Sequence, residues 1–246
     1  MPKHIPRIYC ESPLAEGGRR RLGEDVAHHL LHVLRLKPGA ELRLFDGRGG
    51  EYAGRLAAAG KRWIEVEAVT HQAVRRESPL RIILGQAVSR GERMDYTLQK
   101  AVELGVESIQ PLDTEHSQAR LEPARLDRKL RHWREVARAA AEQSGRERLP
   151  EVHPPLTLAA WVSALPPAPL KLLLDPGAGQ GLVALAPCTD ICLLSGPEGG
   201  LSAAELAQAQ QAGFTAIRLG PRILRTETAA VACLAALQAL WGDLGS

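Results

Sequence analysis

Ser195-Gly196-Pro197-Glu198-Gly199-Gly200-Leu201-Ser202 follows the apolar run Ile191-Cys192-Leu193-Leu194. An apolar strand there runs into a glycine-rich turn and then into a helix. Ser202 and Glu205 have the S-x-x-E spacing of a capping box, which marks the helix start. Such a turn presents backbone N–H groups at a helix N-terminus, and its glycines let a ligand approach the backbone closely. An ordinary strand-to-helix turn seldom needs Gly-Pro-Glu-Gly-Gly, so the pattern favours a binding loop.

A second junction lies downstream. Leu219-Gly220-Pro221-Arg222-Ile223-Leu224-Arg225-Thr226-Glu227-Thr228 follows a short strand and opens the helical stretch from Ala229 to Trp241. Capping by Thr226 or Thr228 is worth about 1 kcal/mol, but capping does not account for Arg222 and Arg225. Upstream, Asp175-Pro176-Gly177-Ala178-Gly179-Gln180-Gly181 imitates the acid-plus-glycine loop of Rossmann-type methyltransferases. That fold needs several further strand–helix units, and only 65 residues follow Gly181. A glycine pattern alone is weak. Gly199-Gly200 is followed by Leu201-Ser202 rather than by the Walker Lys, which argues against ATP or GTP hydrolysis.

Outward from these loops, strands are predicted at Leu80–Gln86, Ser108–Leu112, Leu170–Leu174, Ile191–Ser195 and Thr215–Leu219. Helical stretches lie between them. This alternation is that of an α/β domain with a mostly parallel sheet. Over residues 123–143, Leu126, Leu130, Trp133, Ala137 and Ala140 form one buried stripe. Arg125, Arg128, Lys129, Arg131, Arg134 and Arg138 occupy the rest, as a solvated face or a phosphate-facing one.

The first 72 residues read differently. Strands are expected at Glu41–Phe45, from Glu51 to Leu56 and at Trp63–Val69, with a turn at Asp46–Gly50 and one helix from Glu24 to Arg35. Several short strands with one helix suggest a small barrel. The polar stretch 73–79, ending at Pro79, is read as a linker. The expected division is therefore a barrel over 1–72, a linker over 73–79 and an α/β domain over 80–246.

Composition narrows the class. The 246 residues are 45% hydrophobic, enough for a buried core, and the net charge is +3. The excess positive charge lies in residues 1–72, with 12 Lys/Arg against 9 Asp/Glu, which suits a polyanion weakly. No apolar run approaches bilayer length, and Met1 to Arg7 lack a signal-peptide core, so a cytoplasmic protein is expected. The four Cys lack metal-finger spacing and read as buried thiols rather than a zinc site. No metal is expected. Aromatic residues make up 4%, too few for a stacking-based single-strand binder. A folded RNA or assembled particle, read through phosphates and shape, fits better.

Taken in order, several motifs resemble one family. They are Pro6-Arg7-Ile8-Tyr9, His29-Leu30 with Val33-Leu34-Arg35, Leu44-Phe45-Asp46-Gly47, and Gly85-Gln86 with Ser89-Arg90-Gly91-Glu92-Arg93-Met94. Gln99-Lys100 with Glu103-Leu104-Gly105-Val106, Glu142-Gln143-Ser144-Gly145-Arg146 and the two C-terminal loops continue the series. The chain resembles the SPOUT methyltransferases, and within them the RsmE-type enzymes that methylate N3 of a uridine in small-subunit (16S) ribosomal RNA. It departs at Asp175-Pro176, where the family often carries His before Pro.

The resemblance implies a SPOUT-type trefoil-knotted parallel sheet behind a PUA-like barrel, and a homodimer. It implies S-adenosyl-L-methionine as cofactor. The residues expected to hold it are Leu174, Leu194, Gly196, Pro197, Glu198, Gly199, Gly200, Leu219, Gly220, Ile223, Leu224 and Thr226. The reaction requires N3 to lose its proton while charge spreads onto the flanking carbonyls, so an Arg aimed at those oxygens is needed. Arg225 is the leading catalytic candidate, followed by Arg7 and Arg146. Arg7, Arg35, Arg90, Lys100 and Arg146 are the candidate RNA contacts. Glu198 and Glu227 are candidates to orient the base or relay a proton, with no choice between them. His28, His29 and His32 read as core or RNA contacts. The partner is small-subunit ribosomal RNA or the assembled subunit. The alternatives are another RNA, such as transfer RNA, or a catalytically silent RNA-binding protein.

Overall fold

Alternating sequence builds the first unit. In the computed structural model, which describes residues 5–117, 123–165 and 170–245, that unit comprises Met1–Glu77 together with Ala141–Leu149. Its strands are β1 (Arg7–Tyr9), β2 (Arg19–Leu22), β3 (Glu41–Phe45), β4 (Glu51–Ala59) and β5 (Ile64–Gln72), in the order β1-β3-β4-β5-β2. β1 runs parallel to β3, and the other pairs are antiparallel. Leu42, Leu44, Ile64, Val66 and Ala68 alternate inward into one core. Two register shifts in the β4–β5 ladder, at Ala53/Gly54 and Leu56/Ala58, bend these long strands, because each extra residue kinks its strand and increases its twist. A Cβ on Gly54 would lie 2.7 Å from the Leu44 side chain, so only glycine permits that approach.

Two sequence expectations change here. The helix expected from Glu24 to Arg35 is α1 (Glu24–His28) followed by a π-helical turn over His29–Val33. The left-handed Arg35, with φ 53°, lies just beyond it. β2 was not expected, because Arg19-Arg20-Arg21-Leu22 has no apolar alternation. It is an edge strand held by charge: Arg19 pairs with Glu65 and Glu67 of β5, and Arg21 lies 4.3 Å from the Trp63 ring centroid. Charged side chains are a common way to blunt a sheet edge.

The segment Ala141–Leu149 belongs to the first unit through ionic bonds. Glu51 is 3% exposed. Its Oε2 accepts from Arg7 Nε at 3.1 Å and Arg76 Nη1 at 3.2 Å, and its Oε1 from Arg43 Nη1 at 3.3 Å. Arg7 also donates to the carbonyls of Ala141 (2.9 Å) and Arg146 (2.5 Å), with its guanidinium 3.7 Å from the Phe45 ring centroid. Arg146 pairs with Glu77 at 2.6 Å, and Glu77 accepts the N–H groups of Glu147 and Arg148.

The second unit comprises Ser78–Ala140 and Pro150–Ser246. It contains β6 (Arg81–Ala87), α2 (Glu92–Glu103), β7 (Ser108–Asp113), α3 (Pro123–Ser144, whose last turn is counted with the first unit), β8 (Glu151–Val152), β9 (Leu156–Thr157) and α4 (Leu158–Ala164). β10 (Leu170–Leu174), β11 (Asp190–Ser195), α5 (Ala203–Gln211), β12 (Thr215–Ile217) and α6 (Thr226–Trp241) complete it. The sheet order is β12-β10-β11-β6-β7-β8, with β9 also pairing β7, and every pair is parallel. Helices cover such a sheet, which is why β10 and β11 are mostly apolar, with Leu172, Leu173 and Ile191 to Leu194 buried. A Cβ on Gly85 of β6 would lie 2.2 Å from the Trp161 ring, so this glycine makes room for the indole of α4. Burial pushes the thiols of Cys10, Cys192 and Cys233 up to about 12. No described helix is long and apolar enough to cross a membrane.

Candidate active site

Three adjacent parallel strands end together. Leu174 of β10 is in register with Ser195 of β11 on one side and Ile217 of β12 on the other. The loops that leave these ends enclose a cleft of about 420 Å³. Ligands of parallel α/β sheets bind at such carboxyl ends.

The first loop supplies Leu174, Asp175 and Pro176. Asp175 Oδ1 accepts the Gly177 N–H at 2.8 Å, which shapes the turn. The second supplies Ser195, Gly196, Pro197, Glu198, Gly200 and Leu201. It ends at α5, where Ser202 and Glu205 form the expected capping box. The third supplies Leu219, Gly220, Arg222, Ile223, Leu224, Arg225 and Thr226. Ile223 is 86% exposed, an apolar side chain at the mouth of the cleft.

Buried polar contacts lock the second and third loops together. Thr226 Oγ1 donates to the Gly196 carbonyl at 2.6 Å and accepts from Gln86 Nε2 at 3.1 Å. Gln86 is fully buried, opposite Ser195 in the β6–β11 register. The Thr226 hydroxyl therefore closes the site instead of capping α6. The N-cap of that helix is Arg225, whose side chain makes no capping bond. The wall also carries an acid. Glu198 Oε1 accepts from Arg93 Nη1 at 3.1 Å, and its Oε2 is buried without a hydrogen-bond partner.

The comparisons with known proteins agree with this architecture. Residues 76–238 match the model of an RNA methyltransferase domain, and residues 22–69 that of an RNA methyltransferase PUA domain. The ribosomal RNA small subunit methyltransferase E of Buchnera aphidicola subsp. Schizaphis graminum is 35% identical over 99% of this chain and 100% of its own length. The chain belongs to this methyltransferase family. The crystal structure of the Neisseria gonorrhoeae ribosomal RNA small subunit methyltransferase E, bound to S-adenosyl methionine, superposes with a TM-score of 0.90. It is 40% identical, covering 98% of this chain and 100% of that one. A Legionella pneumophila structure described as a methyltransferase with bound SAM gives a TM-score of 0.94 at 37% identity, covering 98% and 100%.

Within this family member, ten of the expected cofactor residues line the cleft: Leu174, Gly196, Pro197, Glu198, Gly200, Leu219, Gly220, Ile223, Leu224 and Thr226. Two do not. Leu194 is fully buried in the apolar core beneath the loop. Gly199 faces the other way, and a Cβ there would lie 2.9 Å from His116 Cβ. A side chain at Gly199 therefore disturbs loop packing instead of filling the cleft. The open position is Gly200, with φ 75° and nothing within 4 Å of an added Cβ.

The arginines divide. Arg225 lines the cleft, is exposed, and its side chain has no hydrogen bond or ion pair among the described residues. Arg7 and Arg146 are spent inside the first unit, with side chains only 9% and 7% exposed. Their bonds give them a structural role there. Arg35 and Arg90 are exposed. Lys100 pairs with Glu103 along its own helix at 2.8 Å. Glu227 does not line the cleft. Sequence reasoning missed Arg222 as a lining residue and Gln86 as the brace. A glutamine inside the apolar run of β6 was the available signal for the latter.

Proposed function

We propose that the protein transfers a methyl group from S-adenosylmethionine to N3 of a uridine in small-subunit ribosomal RNA. The observation that carries the reading is the cleft at the ends of β10, β11 and β12, on a chain that matches small-subunit rRNA methyltransferases nearly end to end.

The cleft suits the cofactor. Leu174, Ile217, Leu219 and Leu224 provide apolar walls for a purine. Gly200 leaves room for it against the backbone. When bound, the cofactor supplies an electrophilic methyl on a sulfonium. The protein then has to orient the uridine and stabilise its anion. Arg225, free and exposed at the cleft, is placed to face the uridine carbonyls as charge develops on them. Arg35, within the PUA match, and Arg90, within the methyltransferase-domain match, are exposed, which supports phosphate contact.

Deletion of the gene should remove N3-methyluridine from 16S ribosomal RNA, read by nucleoside mass spectrometry, and the purified protein with S-adenosylmethionine should restore it. Persistence of the modification in the deletion strain would assign the activity elsewhere. A ribosomal RNA substrate supports a cytoplasmic location. We further infer a homodimer, supported by Ile223, Leu240 and Leu244, apolar residues of the site loop and C-terminal helix region that are 86%, 48% and 58% exposed. Light scattering at micromolar concentration should give twice the chain mass, and a monomer would overturn this.

A further inference from the structure

Four charged side chains line the cleft: Asp175, Glu198, Arg222 and Arg225. Asp175 is committed to its own turn through the Gly177 N–H. Glu198 has a different environment. Arg93, at the start of α2, holds one oxygen at 3.1 Å, while the other is buried and meets no donor. An ionised group without its hydrogen bonds is costly to bury, so this oxygen is suited to a donor brought by a ligand. Glu198 itself lines the cleft, and a turn about its terminal bond, which is soft in Glu, is required to present this oxygen to a ligand there. The Arg93 side chain, 45% exposed, is free to follow.

We propose that Glu198 is the catalytic residue that accepts the N3 proton of uridine, and that it selects uridine against cytidine. This rests on the uridine-N3 reading above. The uridine edge reads acceptor, donor, acceptor: a carbonyl, the N3–H and a second carbonyl. A carboxylate matches the central donor, and the Arg225 guanidinium matches a flanking carbonyl. Cytidine has an unprotonated N3, a lone pair facing the carboxylate, and is repelled. In the reaction the N3–H bond breaks, its proton passes to Glu198 and its electron pair stays on the ring. That pair forms the N3–CH3 bond as the CH3–S bond breaks, and the S–C pair remains on sulfur as a neutral thioether. Glu198 then returns the proton to solvent.

The other charged groups near this loop stand as follows in the structure. Glu205 accepts the N–H groups of Ser202 and Glu115. His116 Nδ1 lies 3.0 Å from the Gly200 carbonyl. Arg93 bonds the carboxylate, Asp175, Arg222 and Arg225 share the cleft lining with it, and Glu227, in the first turn of α6 with its own Oε2 buried and unpartnered, lies outside that lining.

The test uses the full chain with small-subunit RNA. Glu198→Gln should bind S-adenosylhomocysteine within about twofold of wild type, while single-turnover methylation at neutral pH falls on the order of a hundredfold, as loss of a general base requires. The deficit should shrink as pH rises, because the imide then ionises without help. RNA carrying 5-fluorouridine at the target, a more acidic imide, should recover part of the rate. Without any cofactor, wild type should bind uridine-containing RNA more tightly than its cytidine counterpart, and Glu198→Gln should lose that preference. An equal deficit at every pH with no rescue by fluorouridine overturns the proposal, as does a fall in S-adenosylhomocysteine affinity that matches the fall in rate. Should Glu198→Gln not fold, Glu198→Asp decides: it must keep the pH slope of wild type, and a steeper slope overturns the proposal. Wild-type protein that leaves the uridine unmethylated instead overturns the broader reading.

Discussion

Arg225→Ala is expected to lower turnover by a hundredfold or more, the usual effect of removing one preorganised donor from a developing oxyanion. Cofactor affinity should stay nearly intact. The rival role, a brace on the loop through Glu227 or a nearby carboxylate, predicts that affinity and turnover fall together. The structure already weakens that rival. Arg225 has no ion pair among the described residues, and the loop is instead braced by Thr226 and Gln86. Arg225→Lys separates the two roles further, since an ammonium keeps the charge but not the planar fork that spans a carbonyl. Single-turnover methylation alongside calorimetric binding of S-adenosylhomocysteine reads both quantities. Normal turnover of Arg225→Ala at saturating cofactor and RNA would remove it from the reaction and make Arg222, the other arginine of the cleft, the next to test.

Glu51→Ala is expected to destabilise the first unit by about 3–5 kcal/mol, the cost of stripping one partner from a buried ion pair. Arg7 would remain 9% exposed without the carboxylate it is bonded to, with only the more weakly acting Glu142 near it, and the attachment of Ala141–Leu149 would loosen with it. Urea unfolding followed by a probe in that unit measures the loss, and a change below about 1 kcal/mol, the range of surface ion pairs, would show the network to be incidental. The same network sets an acid limit. Burial pushes the Glu51 carboxyl up, but bonds from Arg7 and Arg76 outweigh it, so its pKa is lowered. Glu77 is lowered in the same way, with Arg146 opposing its burial. A carboxyl whose folded pKa lies below its unfolded one contributes stability above the unfolded value, near 4.3 for Glu. That contribution is lost as pH falls through the lower folded value. Wild type should therefore lose stability steeply below about pH 4, and Glu51→Ala should show a shallower acid limb.

Sequence alone made the two glycine-containing loops legible, because their chemistry is local. Turn glycines, a capping box and an apolar strand before each loop follow from neighbouring residues. The strand at Leu170–Leu174 has the expected bounds, and the flanking strands differ by a few residues at their ends. What the sequence left hidden was of another kind. Arg7 and Arg146 stand in motifs that resemble RNA-handling ones, yet their bonds run to partners far away in the chain, such as Glu51, Ala141 and Glu77. Nothing within a few residues of Arg7 announces that Glu51 will bury beside it. The orientation of Gly199 was hidden for a related reason. Adjacent glycines in one loop face opposite sides, and only the backbone path places His116 against one and open cleft against the other.

By itself, then, the sequence determined an α/β chain with a strand-rich beginning, where the cleft's loops lie, and which arginine sits between a strand end and a helix start. Period and turn chemistry act over a few residues and survive without knowledge of the fold. Tertiary structure decided the sheet order that brings β10, β11 and β12 side by side, and the return of Ala141–Leu149 to the first unit. It also decided which charged side chains are spent on one another. Those outcomes depend on contacts across tens to more than a hundred residues, where burial turns an exposed arginine into an internal tie. The same burial left one Glu198 oxygen without a partner in the wall of the cleft.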